Sequence, residues 1–241
     1  MPEALIGWRP CSPQAALAFF PPEPLEASMA DALPPLAPAG GLAQRIFQVR
    51  CPYDLTIRRS PSGMVPVRFE RVPNETGLSQ AGFDGLVTPI DPTAQRAPAR
   101  PAVQISLNLM LVTEAEAVLT LTPPFMAPGY RDWPGSLVSG RFPLRAWPRP
   151  LNAVLEWQDP GREWVLRRGD PMAYLWLTFP DPDTEPRMVE AAMTPALKRH
   201  FAQVDNVSSF GRNVAPMFAE AEARRPARLL VEKKTGCPEF S

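Results

Sequence analysis

The sequence predicts a mainly β protein, a jelly-roll-like β-sandwich with long Pro-rich loops and a short helical C-terminal appendage. Three observations carry this. Proline supplies 33 of 241 residues, and because it cannot donate to a helix or sheet ladder it confines much of the chain to loops, turns and short strands. Short apolar runs with a period of two recur between residues 45 and 179, the spacing of half-buried strands. Helical periodicity enters only after residue 184, and strands first with helices last is the order of a β domain with helices packed on it. The expected organisation is a sandwich over 1–184, with a Pro-rich arm at 21–39, and a helical segment over 185–241 packed against it.

The elements follow in chain order. Residues 21–39 hold six prolines and read as an extended polyproline II segment. Arg45–Arg50, Asp54–Ser60 and Met64–Val72 read as strands, the last two forming a hairpin around Ser60-Pro61-Ser62-Gly63. Residues 73–101 form a long Pro/Gly/Asn/Asp loop, of a length that in compact domains is functional or ordered by its own contacts. Val103, Ile105, Leu107, Leu109 and Leu111 alternate cleanly and give the best half-buried strand, with 117–122 as its expected neighbour. Leu151–Trp157 and Arg162–Arg168 flank Asp159-Pro160-Gly161, where Pro and Gly suit a type II turn, and read as a hairpin. With Pro160-Gly161 as its two-residue tip, Trp157 faces Trp164 and Leu155 faces Leu166.

A turn at Arg168-Gly169-Asp170-Pro171 leads into Met172–Phe179, apolar on both parities and so a central strand. Glu185–Ala192 reads as a short helix. Thr194-Pro195 supplies an N-cap and a first-turn Pro for a second helix through about Gln203, and a third amphipathic stretch runs from Asn213 to about Arg225.

Composition excludes several kinds of chemistry. With one His, the chain alone builds no two-His zinc motif, three-His cage, two-His-one-carboxylate iron site or Cys₂His₂ finger. Cys11, Cys51 and Cys237 are far apart and hold no Cys-x-x-Cys, so neither a disulfide framework nor a thiolate zinc site is expected. Lys+Arg and Asp+Glu balance at 25 each, which leaves no overall basic field for nucleic acid or acidic lipid. No apolar run reaches the ~18–20 residues of a membrane span. Residues 1–20 hold a single Arg9 before the apolar stretch Ala15–Phe20, unlike a signal peptide. A cytoplasmic protein without cofactor or metal is expected.

The candidate site lies in the densest stretch. Trp133, Trp147, Trp157, Trp164 and Trp176 fall within 133–176, interleaved with arginines, and aromatic faces with guanidinium forks bind planar or anionic ligands. The same residues also suit a broad core with an Arg rim. Tyr130, Arg131 and Trp133 sit among turn residues, where aromatics have less reason to be core, and with Arg141, Arg145 and Trp147 they are the expected ligand-binding set.

Two other features stay open. His200, in Lys198-Arg199-His200, is the sole candidate imidazole base; a cation near a helix C-terminus suits the macrodipole, and pairing with a distant Ser or Cys is the alternative. Asp181, Asp183 and Glu185 suit either a hard cation or a polar turn capping the next helix. Gly135-Ser136…Ser139-Gly140 lacks nucleophile-elbow spacing, and no P-loop or Gly-x-Gly-x-x-Gly is present.

Thr122-Pro-Pro124, Pro128-Gly-Tyr130, and Leu166 through Tyr174 resemble an uncharacterised bacterial family known as a domain of unknown function, in which a Pro-Pro-Gly-Tyr-like turn precedes strands and a Gly-x-Pro turn enters a long apolar strand. Cys51-Pro52 resembles a further turn of that family. The resemblance spans about residues 45–180; here Phe125-Met-Ala separates Pro-Pro from Pro-Gly-Tyr. It implies a β-rich fold of jelly-roll type and no activity.

The expected function is therefore a non-catalytic module that binds a small anionic or planar ligand or a protein partner through an aromatic and Arg-lined pocket. Two alternatives stand beside it: an enzyme without metal-His chemistry acting on a nucleotide or other anionic small molecule, and a homo-oligomeric structural component exchanging the 21–39 arm.

Overall fold

Alternating apolar residues and proline-rich connections divide the chain into many short strands. In a computed structural model, the described residues are 2–11, 19–25, 44–60, 68–90, 100–146, 150–159, 161–205 and 215–234. The elements are β1 (Glu3–Pro10), β2 (Glu23–Pro24), β3 (Ile46–Arg50), β4 (Leu55–Arg59), β5 (Phe69–Arg71), α1 (Gln80–Leu86), β6 (Val87–Pro89), β7 (Ala102–Val112), β8 (Val118–Thr122), β9 (Gly135–Val138), β10 (Gly140–Pro143), β11 (Pro150–Trp157), β12 (Trp164–Leu166), β13 (Pro171–Thr178), β14 (Glu185–Glu190), α2 (Pro195–Asp205) and α3 (Ala215–Ala223). The protein is mainly β, as the prolines and the alternation predict.

Three sheets form. The first runs β14-β1-β7-β11-β9, with β6 also paired to β7; the second runs β10-β8-β13-β3-β2; the third is β12-β4-β5. Val103, Ile105, Leu107, Leu109 and Leu111 of β7 all enter the main core, where they meet Leu119 and Leu121 of β8 and Leu175 and Leu177 of β13. The first two sheets therefore share one apolar interior. The opposite face of β7 is covered too: Met110 and Val112 pack with Val189, Leu197, Leu229 and Leu230 in a second cluster. Between these faces the ladder to β11 slips, its register shifting between Pro150 and Asn152. Asn108 stands beside the slip at φ 50°, a left-handed conformation that Asn tolerates better than most residues.

Several expectations hold. β4 and β5 pair antiparallel, Ile57 with Arg71 through Arg59 with Phe69. β13 is central in its sheet, and Gly169 at φ 89° makes the turn that enters it. Thr194 Oγ1 accepts the Leu197 N–H at 3.1 Å and opens α2 at Pro195.

Others are corrected. The expected hairpin over 151–168 does not form: β11 pairs with β7 and β9, and β12 pairs with β4. The chain does turn there, since Arg162 N–H donates to Asp159 O at 3.2 Å, but the two strands then part into different sheets. Trp157 and Trp164 still meet, edge to face at 4.8 Å, as a contact between sheets. β8 is not a neighbour of β7. Thr113 Oγ1 donates to Leu5 O at 2.7 Å and accepts the Ala115 N–H at 3.1 Å, turning the chain out of the first sheet, and β8 then pairs with β10 and β13.

Glu185–Ala192 is not helical. Residues 185–190 are β14, parallel to β1 with Glu3 opposite Glu185 and Trp8 opposite Glu190. Pro186 suits this edge strand, where no further ladder needs its missing N–H. The 73–101 segment is no plain loop, since it contains α1 and β6, and 91–99 lie outside the described residues. Of the 21–39 arm, Glu23 and Pro24 pair with β3 and the Leu25 N–H donates to Ile46 O at 2.9 Å; 26–39 lie outside the described residues. No helix among the described residues is long and apolar enough to cross a membrane.

Candidate functional site

The second sheet ends in a cleft of about 510 Å³. Its floor comes from paired strand ends: Pro143 of β10 lies opposite Val118 of β8, and Val118 opposite Thr178 of β13. Phe179 and Pro180 follow β13 at the rim, and Arg141 of β10 also lines the cleft. A 3-10 turn over Leu144–Ala146 is anchored by the buried Leu144, whose N–H donates to Ala117 O at 2.9 Å. That turn holds Arg145 at the lip, where its guanidinium meets Glu222 of α3 at 3.1 Å. Among the described residues Arg141 has no ion-pair partner, so the two arginines differ: one is neutralised by its own chain and the other is available to an anion.

Behind α3 the wall is braced by buried charge. The Arg225 side chain is 2% exposed and pairs with Glu114 Oε2 at 2.6 Å. It also donates to Thr113 O at 2.7 Å and to Arg145 O at 3.2 Å. Glu114 Oε1 accepts the N–H groups of Leu229 and Leu230 at 2.5 and 2.9 Å. Burial pushes the Glu114 carboxyl up, but these two N–H groups and Arg225 outweigh it and hold it below the ordinary carboxylate range.

His200 belongs to this region. It lies within α2 and is 2% exposed, and neither ring nitrogen has a hydrogen-bond partner among the described residues. Burial, then the Arg225 charge, lowers its pKa from 6.5, with Glu222 acting in the opposite sense. The macrodipole reading is therefore corrected: the helix continues past His200 to Asp205, so the imidazole is a buried group within α2 rather than a cation at its C-terminus.

The expected ligand-binding residues divide between two places. Arg141 and Arg145 share the cleft. Tyr130, Arg131 and Trp133 lie on and beside a 3-10 turn over Pro128–Asp132, and the two aromatics join a chain of ring contacts: Tyr130 to Trp133 at 5.1 Å, Trp133 to Trp164 at 5.2 Å, Trp164 to Trp157 at 4.8 Å and Trp157 to Phe69 at 4.8 Å. Arg131 is exposed on that turn. Trp147 lies outside the described residues. Tyr130 and Trp133 are not among the residues lining the cleft.

Sequence reading missed Phe179, Glu116 and Glu222 of the cleft, and Glu114 and Arg225 behind it. Phe179 had a signal, as the last apolar residue before a proline at the end of a central strand. The acidic residues had none, because their partners lie far off in sequence.

The remaining candidates resolve structurally. Asp181 Oδ1 accepts the Asp183 N–H at 2.9 Å and Asp181 O the Thr184 N–H at 3.2 Å, so the acidic run is a polar turn, and it enters β14 where a helix was expected. Among the described residues no three His, Cys, Asp or Glu side chains gather as metal ligands do. Cys51 is buried, with its thiol donating to Tyr53 O at 3.1 Å, and burial pushes its pKa up to about 12, so it carries no thiolate at neutral pH. The chain matches no family model and no curated protein.

Proposed function

We propose that the protein is a non-catalytic small-molecule-binding module, a jelly-roll-like sandwich whose ligand site is the cleft of Arg141 and Arg145. One observation carries this reading. The cleft joins apolar walls (Val118, Pro143, Phe179) to a guanidinium with no ion-pair partner among the described residues, and among those residues its lining contains no thiol and no imidazole. The Thr178 hydroxyl in that lining is engaged by the backbone, donating to Val118 O at 3.2 Å. Concave, mostly apolar sites with a few fixed polar groups are the usual form of small-ligand pockets, and a guanidinium selects an anion.

Calorimetric titration with 2-naphthoate tests it. At ~0.3 kcal/mol per non-hydrogen atom, a typical yield for such ligands, millimolar to high-micromolar binding is expected. Arg141→Ala, at an exposed position, is expected to leave stability unchanged and to weaken binding about tenfold, the worth of a charge-assisted hydrogen bond. Equal affinity of the wild type and Arg141→Ala would remove the cleft as the site.

A further inference from the structure

Residues directly opposite on antiparallel strands project to the same side of the sheet. Two neighbouring rows cross the second sheet in this way. In one, Arg141 on β10 lies opposite Thr120 on β8, Thr120 opposite Trp176 on β13, and Trp176 opposite Ile46 on β3. In the next, Pro143 lies opposite Val118 and Val118 opposite Thr178. The intervening Leu119, Leu121, Leu175 and Leu177 belong to the main core, so both rows face outward.

That outer face is covered on one side and open on the other. Ile46 is 1% exposed and packs with Leu25 and Tyr174, and Trp176 leans on this group. Across β8 the cover ends: Thr120 and Val118 are partly exposed, and Arg141 and Pro143 are exposed. Trp176 and Arg141 thus flank a strip of small side chains, here called the slot, on strands two spacings apart, or roughly 9–10 Å; it adjoins the cleft, whose own lining includes neither Trp176 nor Thr120. The slot is polar in a definite sense. Arg141 stands at the Thr120 level, whereas Glu116 lies beyond Val118 in the other direction, at most about 13 Å along the strand from Thr120 at ~3.3 Å per residue. Glu222 is held at that second end by Arg145.

We infer that slot and cleft together take a flat aromatic acid carrying a hydrogen-bond donor at its far end. The carboxylate meets Arg141, the ring packs on Trp176 over Thr120 and Val118, and the donor reaches the Glu116 and Glu222 carboxylates. A plain anion would leave the acidic end unused, and a second negative charge there would be repelled. This inference rests on the cleft being a ligand site.

Titration of the full-length chain with 6-hydroxy-2-naphthoate, 2-naphthoate and 2-naphthol tests it. The hydroxy acid is expected to bind at least fivefold more tightly than 2-naphthoate and at least tenfold more tightly than 2-naphthol. Trp176→Ala is expected to lose about tenfold, with Trp176→Phe recovering most of it. The indole N–H resonance of Trp176, identified by its disappearance in Trp176→Phe, is expected to shift on titration, a readout that does not need the alanine variant to fold. An unshifted indole signal, or a hydroxy acid no better than 2-naphthoate, overturns the inference; if 2-naphthoate binding still depends on Arg141, the cleft reading survives alone. No binding by any of the three removes both.

Discussion

The two faces of β7 are packed by different means. On one, Val103, Ile105, Leu107, Leu109 and Leu111 enter a core of apolar side chains from both large sheets. On the other, Met110 and Val112 meet a smaller apolar cluster whose neighbourhood also holds the Arg225–Glu114 pair and His200. A core made by apolar burial alone depends little on pH and tolerates no lost volume. A junction made by fewer apolar contacts and a charged clamp is sensitive to protons and to the loss of one partner. One strand therefore carries a face that fixes the fold and a face on which the C-terminal segment, including the α3 wall of the cleft, is held.

Three measurements bear on that contrast. The largest effect is expected in the apolar face: Trp164→Ala, at a fully buried residue touching both Trp157 and Trp133, is expected to cost about 3–5 kcal/mol in chemical denaturation. A loss under about 1 kcal/mol would show that the aromatic chain is an ornament on the core rather than part of it.

Next is the clamp. Arg225→Ala removes the Glu114 pair and the donations to the Thr113, Arg145 and Pro226 carbonyls, an expected loss of about 2–3 kcal/mol given that Glu114 is 35% exposed and partly screened. Combining it with Glu114→Ala is expected to add much less than the two single losses together; strict additivity would mean that the pair is not a unit.

The smallest effect is that of pH. His200 has a lowered pKa in the folded state, so between 6.5 and that lower value the unfolded chain binds more protons, and stability falls as the solution is acidified through this window. Glu114, also lowered, adds a second loss as pH drops below its ordinary 4.5. Thermal midpoints measured from pH 7.5 to 5 are expected to decline in the wild type and to stay flatter in His200→Phe. Identical slopes would place the proton uptake elsewhere.

Much of the fold was legible because it depends on local pattern. The period-two run of β7, the both-sided apolarity of β13, the turn at Gly169 and the Thr194 cap are all set by residues adjacent in sequence. What failed was partnership. The residues of β11 and β12 carry an apolar face that fits any neighbouring sheet, and a good turn at Asp159 does not oblige the strands it joins to pair. Glu185–Glu190 carries charges at both ends and a Pro, and only its partner β1, about 180 residues away in sequence, makes it a strand. The candidate site divides along the same line. Arg141 and Arg145, read from an Arg-rich stretch, both line the cleft, while of the aromatics conspicuous in a turn Trp133 packs on Trp164 and Tyr130 on Trp133. Glu222 reaches the cleft from α3, a juxtaposition that no spacing rule anticipates.

The parallel pairing of β1 with β14 also sets a timetable. Gly7 is packed so closely that a β-carbon would collide with Leu230 and Val112 and crowd Ala191, so β1 is completed by residues made about 180 positions after it. At about 5–20 residues per second of synthesis, β1 leaves the ribosome roughly 10–40 seconds before β14 exists. In the interval its outer edge is an unpaired strand on a nascent chain, and the β7 pairing made halfway through is its first protection.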